Sequence, residues 1–153
     1  MRRTTEPVLL VDDSAEDVEF TLAAMAEFCR PGEVQVARDG MEALDYLLCR
    51  GRFEGRASGN PALILLDIKM PLVDGLEVLR TVKKDEHLKT IPVVMLTSSR
   101  EPQDIDSSYR FGSNAYVVKP LVFGEFRDAM RTLSAFWVGL NEFSAAHTRA
   151  DFS

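Results

Sequence analysis

Short apolar runs alternate with amphipathic segments along this chain, and the alternation predicts its secondary structure. Five segments have the length and composition of strands: VLLV (8–11), EVQV (33–36), ALILL (62–66), IPVVMLT (91–97) and AYVV (115–118). Between them, apolar residues recur at helical spacing, as at Leu76, Leu79 and Val82. Strands that are apolar on both faces and separated by helices predict a parallel sheet covered on both sides. The expected fold is therefore α/β, a doubly wound five-stranded parallel sheet.

The last helical segment is long and carries many large apolar residues. It extends from about residue 122 to about residue 143, and its stripe consists of Phe126, Met130, Leu133, Phe136, Trp137 and Leu140. The first part of such a helix is enough to cover the sheet, so the part centred on Phe136 and Trp137 would be exposed on a monomer. Large exposed apolar patches usually mark an interface. We therefore predict a homodimer built on helix 5 and strand 5; in the alternative, the helix folds back onto its own domain.

Size and composition fit a single soluble domain. The chain has 153 residues, 46% of them apolar, which predicts one core at about 7–142 and a short polar tail at 144–153. That tail is too short for an output domain such as a helix-turn-helix. A net charge of −6 argues against a general nucleic-acid binder. Because no apolar run approaches the ~18 residues of a membrane span and Cys29 and Cys49 lack metal-ligand spacing, we expect a cytoplasmic protein with reduced thiols.

Residues with complementary chemistry stand at the carboxyl ends of four predicted strands: Asp12 and Asp13, Asp67, Thr97, and Lys119. Each alone is an ordinary turn residue, helix cap or solvated side chain, but the carboxyl ends of parallel strands meet at one edge of the sheet. Three carboxylates placed together repel one another unless a cation lies among them, and Mg²⁺ prefers such oxygen ligands. A carboxylate beside Mg²⁺ can attack a phosphoryl group to form an acyl phosphate. A lysine and a hydroxyl group can stabilise the charge that develops.

The order and spacing of four motifs resemble the receiver domain of two-component response regulators, of the stand-alone, single-domain type. The motifs are VLLVDDS, LILLDIKMPLVDG, PVVMLTS and AYVVKP, and the resemblance extends from Val8 to about Leu140. It implies a CheY-like, flavodoxin-like fold. It also implies a phosphoacceptor signalling protein, not an enzyme with turnover on a separate substrate. Such a protein assists its own phosphorylation and its slow dephosphorylation.

The resemblance implies a role for each residue of the predicted site. Asp67 matches the phosphoacceptor, which takes its phosphoryl group from a sensor histidine kinase. Mg²⁺ is bound by Asp13 and Asp67, by the backbone carbonyl of Lys69 and, more indirectly, by Asp12. Lys119 matches the ammonium group that pairs with the phosphoryl group.

Further residues match the switch of this family and its loops. Thr97 matches the hydroxyl group that hydrogen-bonds the phosphoryl group, and Tyr116 matches the aromatic residue that moves with it. Their movement alters the surface made by helix 4, strand 5 and helix 5. Pro71, Gly75 and Pro120 are expected to shape the loops, and the peptide before Pro120 is expected to be cis, as is usual in the family.

Two features resemble a narrower group, the small single-domain regulators paired with phytochrome-type histidine kinases. These features are the longer loop at 51–61 and the Phe136-Trp137 pair. The implied partners are a phytochrome-type kinase and a downstream protein, which receives either a contact or the phosphoryl group.

Three alternatives fit the sequence less well. An aspartyl phosphohydrolase or phosphotransferase usually needs a second acid two residues after its nucleophile, where this chain has Lys69. A flavodoxin-like nucleotide-binding protein needs a phosphate-binding loop after strand 1, and DDSAED is too acidic for one. A degenerate receiver used only as a protein-binding module usually lacks one of the site residues, whereas all five are present here.

Overall fold

A computed structural model of the chain describes residues 7–57 and 59–144. The strands in this part are β1 (Val8–Val11), β2 (Val34–Ala37), β3 (Leu63–Leu66), β4 (Val93–Thr97) and β5 (Ala115–Val118). The α-helices that alternate with them are α1 (Ala15–Met25), α2 (Gly40–Leu47), α3 (Gly75–Lys84), α4 (Pro102–Arg110) and α5 (Phe123–Ser134). Short 3-10 turns at Pro31–Glu33 and Gly51–Phe53 lie in the connections, the second of them within the predicted loop at 51–61.

The strands form one parallel sheet in the order β2-β1-β3-β4-β5. β1 and β3 pair in register, so that Val11 lies opposite Leu66. β1, β3 and β4 are buried along their whole length, as continuous apolar runs predict, whereas the edge strands β2 and β5 are mostly half-buried. The prediction of a doubly wound, five-stranded parallel sheet is confirmed.

A separate apolar core lies on each face of the sheet. Leu47 of α2 and Val82 of α3 pack on one face, and Met25 of α1 and Met130 of α5 pack on the other. Each large side chain buried in this way stabilises the fold by about 1.5–3 kcal/mol. Because both faces of the sheet are covered, its polar groups reach water only at the edges of the sheet and at the ends of the strands.

Side chains at the starts of the helices determine how the chain leaves each strand end. Three helices begin after a residue whose side chain accepts a hydrogen bond from an amide in the first turn: Ser14, Asp39 and Asp74. Such N-caps satisfy amides that lack a partner within the helix. α4 begins at Pro102 without a side-chain cap, so the alternative role of Thr97 as a helix cap is not observed. Within the described ranges, no helix is long and apolar enough to cross a membrane.

The last helix differs from the single continuous helix that the sequence predicts. α5 ends at Ser134, and the chain continues as a π-helix over Ala135–Leu140. Phe126, Met130 and Leu133 are buried in the core between the sheet, α1 and α5. These three residues belong to the chain's own core, so the exposed part of the predicted dimer interface lies beyond them.

The exposed part of the apolar stripe is short. Phe136 is 48% exposed and Leu140 is 71% exposed. Trp137 is partly buried against the chain's own core, and Val138 is buried in it. The end of the helix therefore folds back in part, as in the alternative prediction, and leaves a small apolar surface made of Phe136 and Leu140.

Candidate functional site

Three carboxylates lie together at the carboxyl edge of the sheet. Asp12 follows β1 and Asp67 follows β3, and these two strands are neighbours in register. Together with Asp13 they offer three oxygen atoms that all lie within 4.8 Å of one another. Asp12 and Asp67 are buried, whereas Asp13 faces water. The structure thus brings these three predicted residues into one cluster.

Backbone amides orient the two buried carboxylates. Asp12 Oδ1 accepts a hydrogen bond of 2.9 Å from the amide of Ser14, and Asp67 Oδ1 accepts one of 2.8 Å from the amide of Ile68. Burial raises the pKa of Asp12, and the hydrogen bonds from Lys119 and Ser14 only partly oppose this effect. The cluster is therefore a place where negative charge is concentrated and poorly hydrated.

Lys119 places a cation among these acids. It follows β5, and its amide donates a hydrogen bond of 2.8 Å to the carbonyl of Thr97. Its Nζ donates to Asp12 Oδ2 at 2.7 Å, to Asp17 Oδ2 at 2.8 Å and to Asp67 Oδ2 at 3.3 Å. Burial alone would lower the pKa of Lys119, but the hydrogen bonds to Asp12 and Asp17 and the charge of Asp67 outweigh burial and raise it. The ammonium group therefore stays protonated at neutral pH.

Asp17 is a member of this site that sequence reasoning missed. It lies in the first turn of α1, where an acid is ordinarily explained by the helix dipole. The available signal was its position, because α1 begins almost directly after β1 and its first turn lies at the same sheet edge. The direction of the side chain toward Lys119 could not be read from the sequence.

The cluster has the donor set of a hard divalent cation. The groups in contact carry four carboxylates, counting Asp17, and one ammonium, which leaves an excess of three negative charges. Mg²⁺ takes one or two carboxylates together with several waters, and the exposure of Asp13 gives such waters access. Asp12, Asp13 and Asp67 are the residues that fit this role. Lys69, the predicted carbonyl ligand, lies in the loop directly after β3 and is exposed.

A hydrogen-bonded network connects Thr97 to Tyr116, the two residues expected to act as a switch. Thr97 Oγ1 accepts a hydrogen bond of 3.3 Å from the amide of Ser99, and the hydroxyl of Tyr116 donates one of 2.9 Å to the carbonyl of Ser99. The hydroxyl of Ser99 donates to Asp104 at 2.5 Å, and Asp104 also pairs with Lys69 at 3.2 Å. The network therefore joins the loop after β3, the loop after β4, α4 and β5.

The loop after β3 packs closely against the backbone of Asp67. Gly75 begins α3, and its amide donates a hydrogen bond of 2.8 Å to the carbonyl of Ile68. A Cβ atom at Gly75 would lie 2.0 Å from the carbonyl oxygen of Asp67. Glycine is therefore required here by close approach.

Prolines shape two turns at this edge of the sheet. Pro71 accepts a hydrogen bond of 2.8 Å from the amide of Val73, and Leu72 between them has a left-handed φ of 64°. The peptide before Pro120 is trans, as is every described peptide, so the expectation of a cis bond was wrong. Lys119 nevertheless lies at the site, where its backbone amide donates a hydrogen bond to the carbonyl of Thr97.

Several solved structures of phytochrome response regulators are similar to this chain. The phosphorylated cyanobacterial phytochrome response regulator RcpA is 34% identical, with a TM-score of 0.86 over 93% of this chain and 100% of that one. The bacteriophytochrome response regulator AtBRR is 55% identical, with a TM-score of 0.70 over 91% and 99%. The Mn²⁺-bound form of response regulator Rcp1 is 32% identical, with a TM-score of 0.84 over 92% and 99%. Response regulator Rcp1 of Synechocystis sp. is 34% identical over 131 residues, which cover 86% of this chain and 88% of that protein.

The model of one protein family matches most of the chain. This family is the response regulator receiver domain, and its model matches residues 8–131. The matched segment contains all five strands and each of the clustered side chains, from Asp12 to Lys119. The chain therefore belongs to the family of response regulator receiver domains.

Proposed function

We propose that this protein is a stand-alone phosphoacceptor in a two-component phosphorelay. Asp67 accepts a phosphoryl group from a sensor histidine kinase in the presence of Mg²⁺, and the face made by α4, β5 and α5 then signals to a downstream protein. The observation that carries the proposal is the setting of Asp67. Its carboxylate lies at the end of a buried strand, clustered with two other acids and 3.3 Å from the ammonium of Lys119. Membership in the receiver family supports the same chemistry.

The geometry supports a direct displacement at phosphorus. One carboxylate oxygen of Asp67 attacks the phosphorus of a phosphohistidine; an O–P bond forms, the P–N bond breaks, and the imidazole keeps the electron pair and takes up a proton. Asp12, Asp13 and Asp67 would hold Mg²⁺, which would supply positive charge near the phosphoryl oxygens. Lys119 pairs with one phosphoryl oxygen, and the Thr97 hydroxyl donates to another. Attack by water later releases inorganic phosphate and restores the carboxylate.

The proposed switch is the hydrogen-bonded path from Thr97 through Ser99 to Tyr116. A phosphoryl group adds nearly two negative charges and three acceptor oxygens beside Thr97. Movement of the Thr97 hydroxyl toward these oxygens breaks its 3.3 Å bond with the Ser99 amide. Because the carbonyl of Ser99 holds the hydroxyl of Tyr116, the loop and the ring move together. This biases the face made by α4, β5 and α5 between two states.

Exposed apolar side chains near the site support docking of a kinase there. Leu72, in the loop after β3, and Leu121, in the loop after β5, are more than nine-tenths exposed. Val122 and Phe123, beside Leu121, are more than half exposed. These loops begin with Asp67 and Lys119, directly after β3 and β5, where a phosphohistidine has to approach. Apolar surface of this kind favours association with a partner.

A phytochrome-type kinase is the partner we propose. RcpA and AtBRR are named as phytochrome and bacteriophytochrome response regulators. The longer connection at 51–61 and the Phe136-Trp137 pair support the same assignment.

We also propose a homodimer through the end of the last helix and β5, in which Phe136 and Leu140 are the exposed apolar contacts. Light scattering tests it on the double variant Phe136→Ser/Leu140→Ser, because Trp137 packs against its own core and its replacement would also affect stability. We expect a dimer for the wild type and a monomer for the variant. Met41→Ser, which alters a similarly exposed residue on α2, is the control and should stay dimeric. A monomeric wild type, with and without phosphorylation, would refute the dimer.

Intact-mass measurement tests the phosphoacceptor function. We expect the wild type to gain one phosphoryl group from acetyl phosphate with Mg²⁺, and expect no gain in EDTA or in Asp67→Asn. Asp74→Asn is the matched control, because Asp74 lies in the same loop as a helix cap and asparagine caps equally well. Absence of phosphorylation of the wild type with every donor, a phytochrome-type kinase included, would instead support a degenerate receiver that acts only as a binding module.

A further inference from the structure

The ammonium group of Lys119 is fully occupied in this structure. Its three N–H groups face oxygens of Asp12 at 2.7 Å, Asp17 at 2.8 Å and Asp67 at 3.3 Å. Charge-assisted N–H···O bonds are strongest at about 2.7–2.9 Å. The weakest of the three bonds is therefore the one to Asp67. Under the proposed function, Asp67 is the residue that receives the phosphoryl group with which Lys119 pairs.

Asp17 holds the ammonium group from the side of α1. Its amide donates a hydrogen bond of 3.2 Å to Ser14 Oγ, so the start of the helix fixes its position. Its side chain is 29% exposed, compared with 2% for Asp12 and 9% for Asp67. It also lines a cleft of about 280 Å³ between α1 and the loop after β5. The Asp17 side chain therefore has room to turn into water when the lysine leaves it.

We propose that Asp17 is a positioning residue that holds Lys119 back from Asp67 and so slows phosphorylation. This inference rests on the proposed phosphoacceptor function of Asp67. When a phosphoryl group arrives, its oxygens compete for the ammonium group, and Asp17 is the partner that gives it up because water can replace the lysine there. The charge of Asp17 also repels an anionic phosphodonor. Both effects act in the same direction, so loss of this carboxylate speeds phosphorylation.

Phosphorylation kinetics with acetyl phosphate at saturating Mg²⁺ test the inference. For Asp17→Asn we expect the rate constant to rise roughly three- to tenfold, the size expected when one unit charge is removed a few ångströms from a partly exposed site. Asp17→Glu keeps the carboxylate and should restore the wild-type rate. Glu16→Gln removes the same charge from an exposed neighbouring position, and should raise the rate by about twofold at most, because exposed charges are screened.

A crystal structure of Asp17→Asn in EDTA provides a measurement that needs neither phosphodonor nor metal. Asparagine can still accept a hydrogen bond from Lys119, but without the charge of Asp17 this bond is weaker, and the ammonium group shifts toward Asp67. We expect the distance from Lys119 Nζ to Asp67 Oδ2 to shorten from 3.3 Å to about 2.8 Å.

Three results would overturn the inference: a rate at or below that of the wild type in folded Asp17→Asn, an equal rise in Glu16→Gln, or an unchanged distance between Lys119 and Asp67. Circular dichroism of each variant establishes that it is folded. If the wild type itself takes up no phosphoryl group, the proposed function fails, and the crystallographic distance still decides whether Asp17 restrains Lys119.

Discussion

Replacement of Gly75 by alanine should destabilise the protein and displace Asp67 at the same time. The added Cβ would lie 2.0 Å from the carbonyl oxygen of Asp67, 2.8 Å from its carbonyl carbon and 2.8 Å from Ile68 Cα. All three are backbone atoms, so no side-chain rotation relieves the overlap. To bring the oxygen beyond 3.0 Å, the peptide between Asp67 and Ile68 has to move by about 1 Å.

The expected loss of stability and the expected slowing of phosphorylation both follow from this displacement. Overpacking costs about 1–3 kcal/mol, and we take the upper value because the backbone at the end of a buried strand has to yield. Alanine recovers up to about 1 kcal/mol of helix propensity at the start of α3. The expected net loss is about 2 kcal/mol, or roughly 4–8 °C in Tm for a domain of this size. Because Asp67 itself moves, we also expect phosphorylation to slow by as much as about a hundredfold.

Urea unfolding followed by circular dichroism, together with the rate of phosphorylation, measures both effects. Gly124→Ala is the control: Gly124 lies in the first turn of α5, and nothing lies within 4 Å of the added Cβ. This control should stabilise the protein by about 0.5–1 kcal/mol. A Gly75→Ala variant that is as stable and as quickly phosphorylated as the wild type would contradict this prediction, and so would an equal loss of stability in Gly124→Ala.

Three further predictions concern the metal, pH and the half-buried Lys83. A hundredfold excess of Mg²⁺ over its Kd should stabilise the wild type by about 2.7 kcal/mol but not Asp13→Asn; equal stabilisation in thermal unfolding would place the ion elsewhere. The hydrogen bond from Ser99 holds the pKa of Asp104 below its ordinary value, so the unfolded chain binds more protons below about pH 4. In urea unfolding, the wild type should therefore have a higher free energy of unfolding than Asp104→Asn above that pH. This difference should disappear as the pH falls through the pKa of Asp104 in the folded protein; a difference that does not change with pH would contradict the prediction. Lys83→Met should lower the free energy of unfolding by about 1–3 kcal/mol, because Lys83 Nζ donates hydrogen bonds to carbonyls near the start of β4. If the variant unfolds at the same urea concentration as the wild type, these hydrogen bonds contribute nothing to stability.

The sheet and its central site could be predicted because their signals are local. Each strand is a run of apolar residues, and each run ends where the polar chemistry begins. Once the strands are parallel, geometry brings Asp12, Asp67 and Lys119 to one edge without any knowledge of side-chain direction. The identities of these clustered residues therefore followed from the sequence.

Contacts that depend on side-chain direction could not be predicted in this way. Asp17 and Asp104 lie on helices, and their spacing does not show that one faces Lys119 and the other Ser99. The sequence also does not show which part of the apolar stripe in the last helix is buried, because the regular spacing continues through Met130 and beyond. Which part of the stripe faces the chain's own core depends on how far α1 and the sheet extend beneath it, and this is a tertiary property.

The ion pair between Lys119 and Asp12 joins residues 107 positions apart in the chain. During synthesis, Asp12, Asp13 and Asp67 therefore leave the ribosome long before the lysine that offsets part of their charge in the folded protein. Contacts so distant in sequence form slowly, because a long loop has to close first. Until β5 adds to the sheet, repulsion among these acids opposes the pairing of β1 with β3. The lysine that completes the site is thus also the counter-ion that completes the folding of the nascent chain.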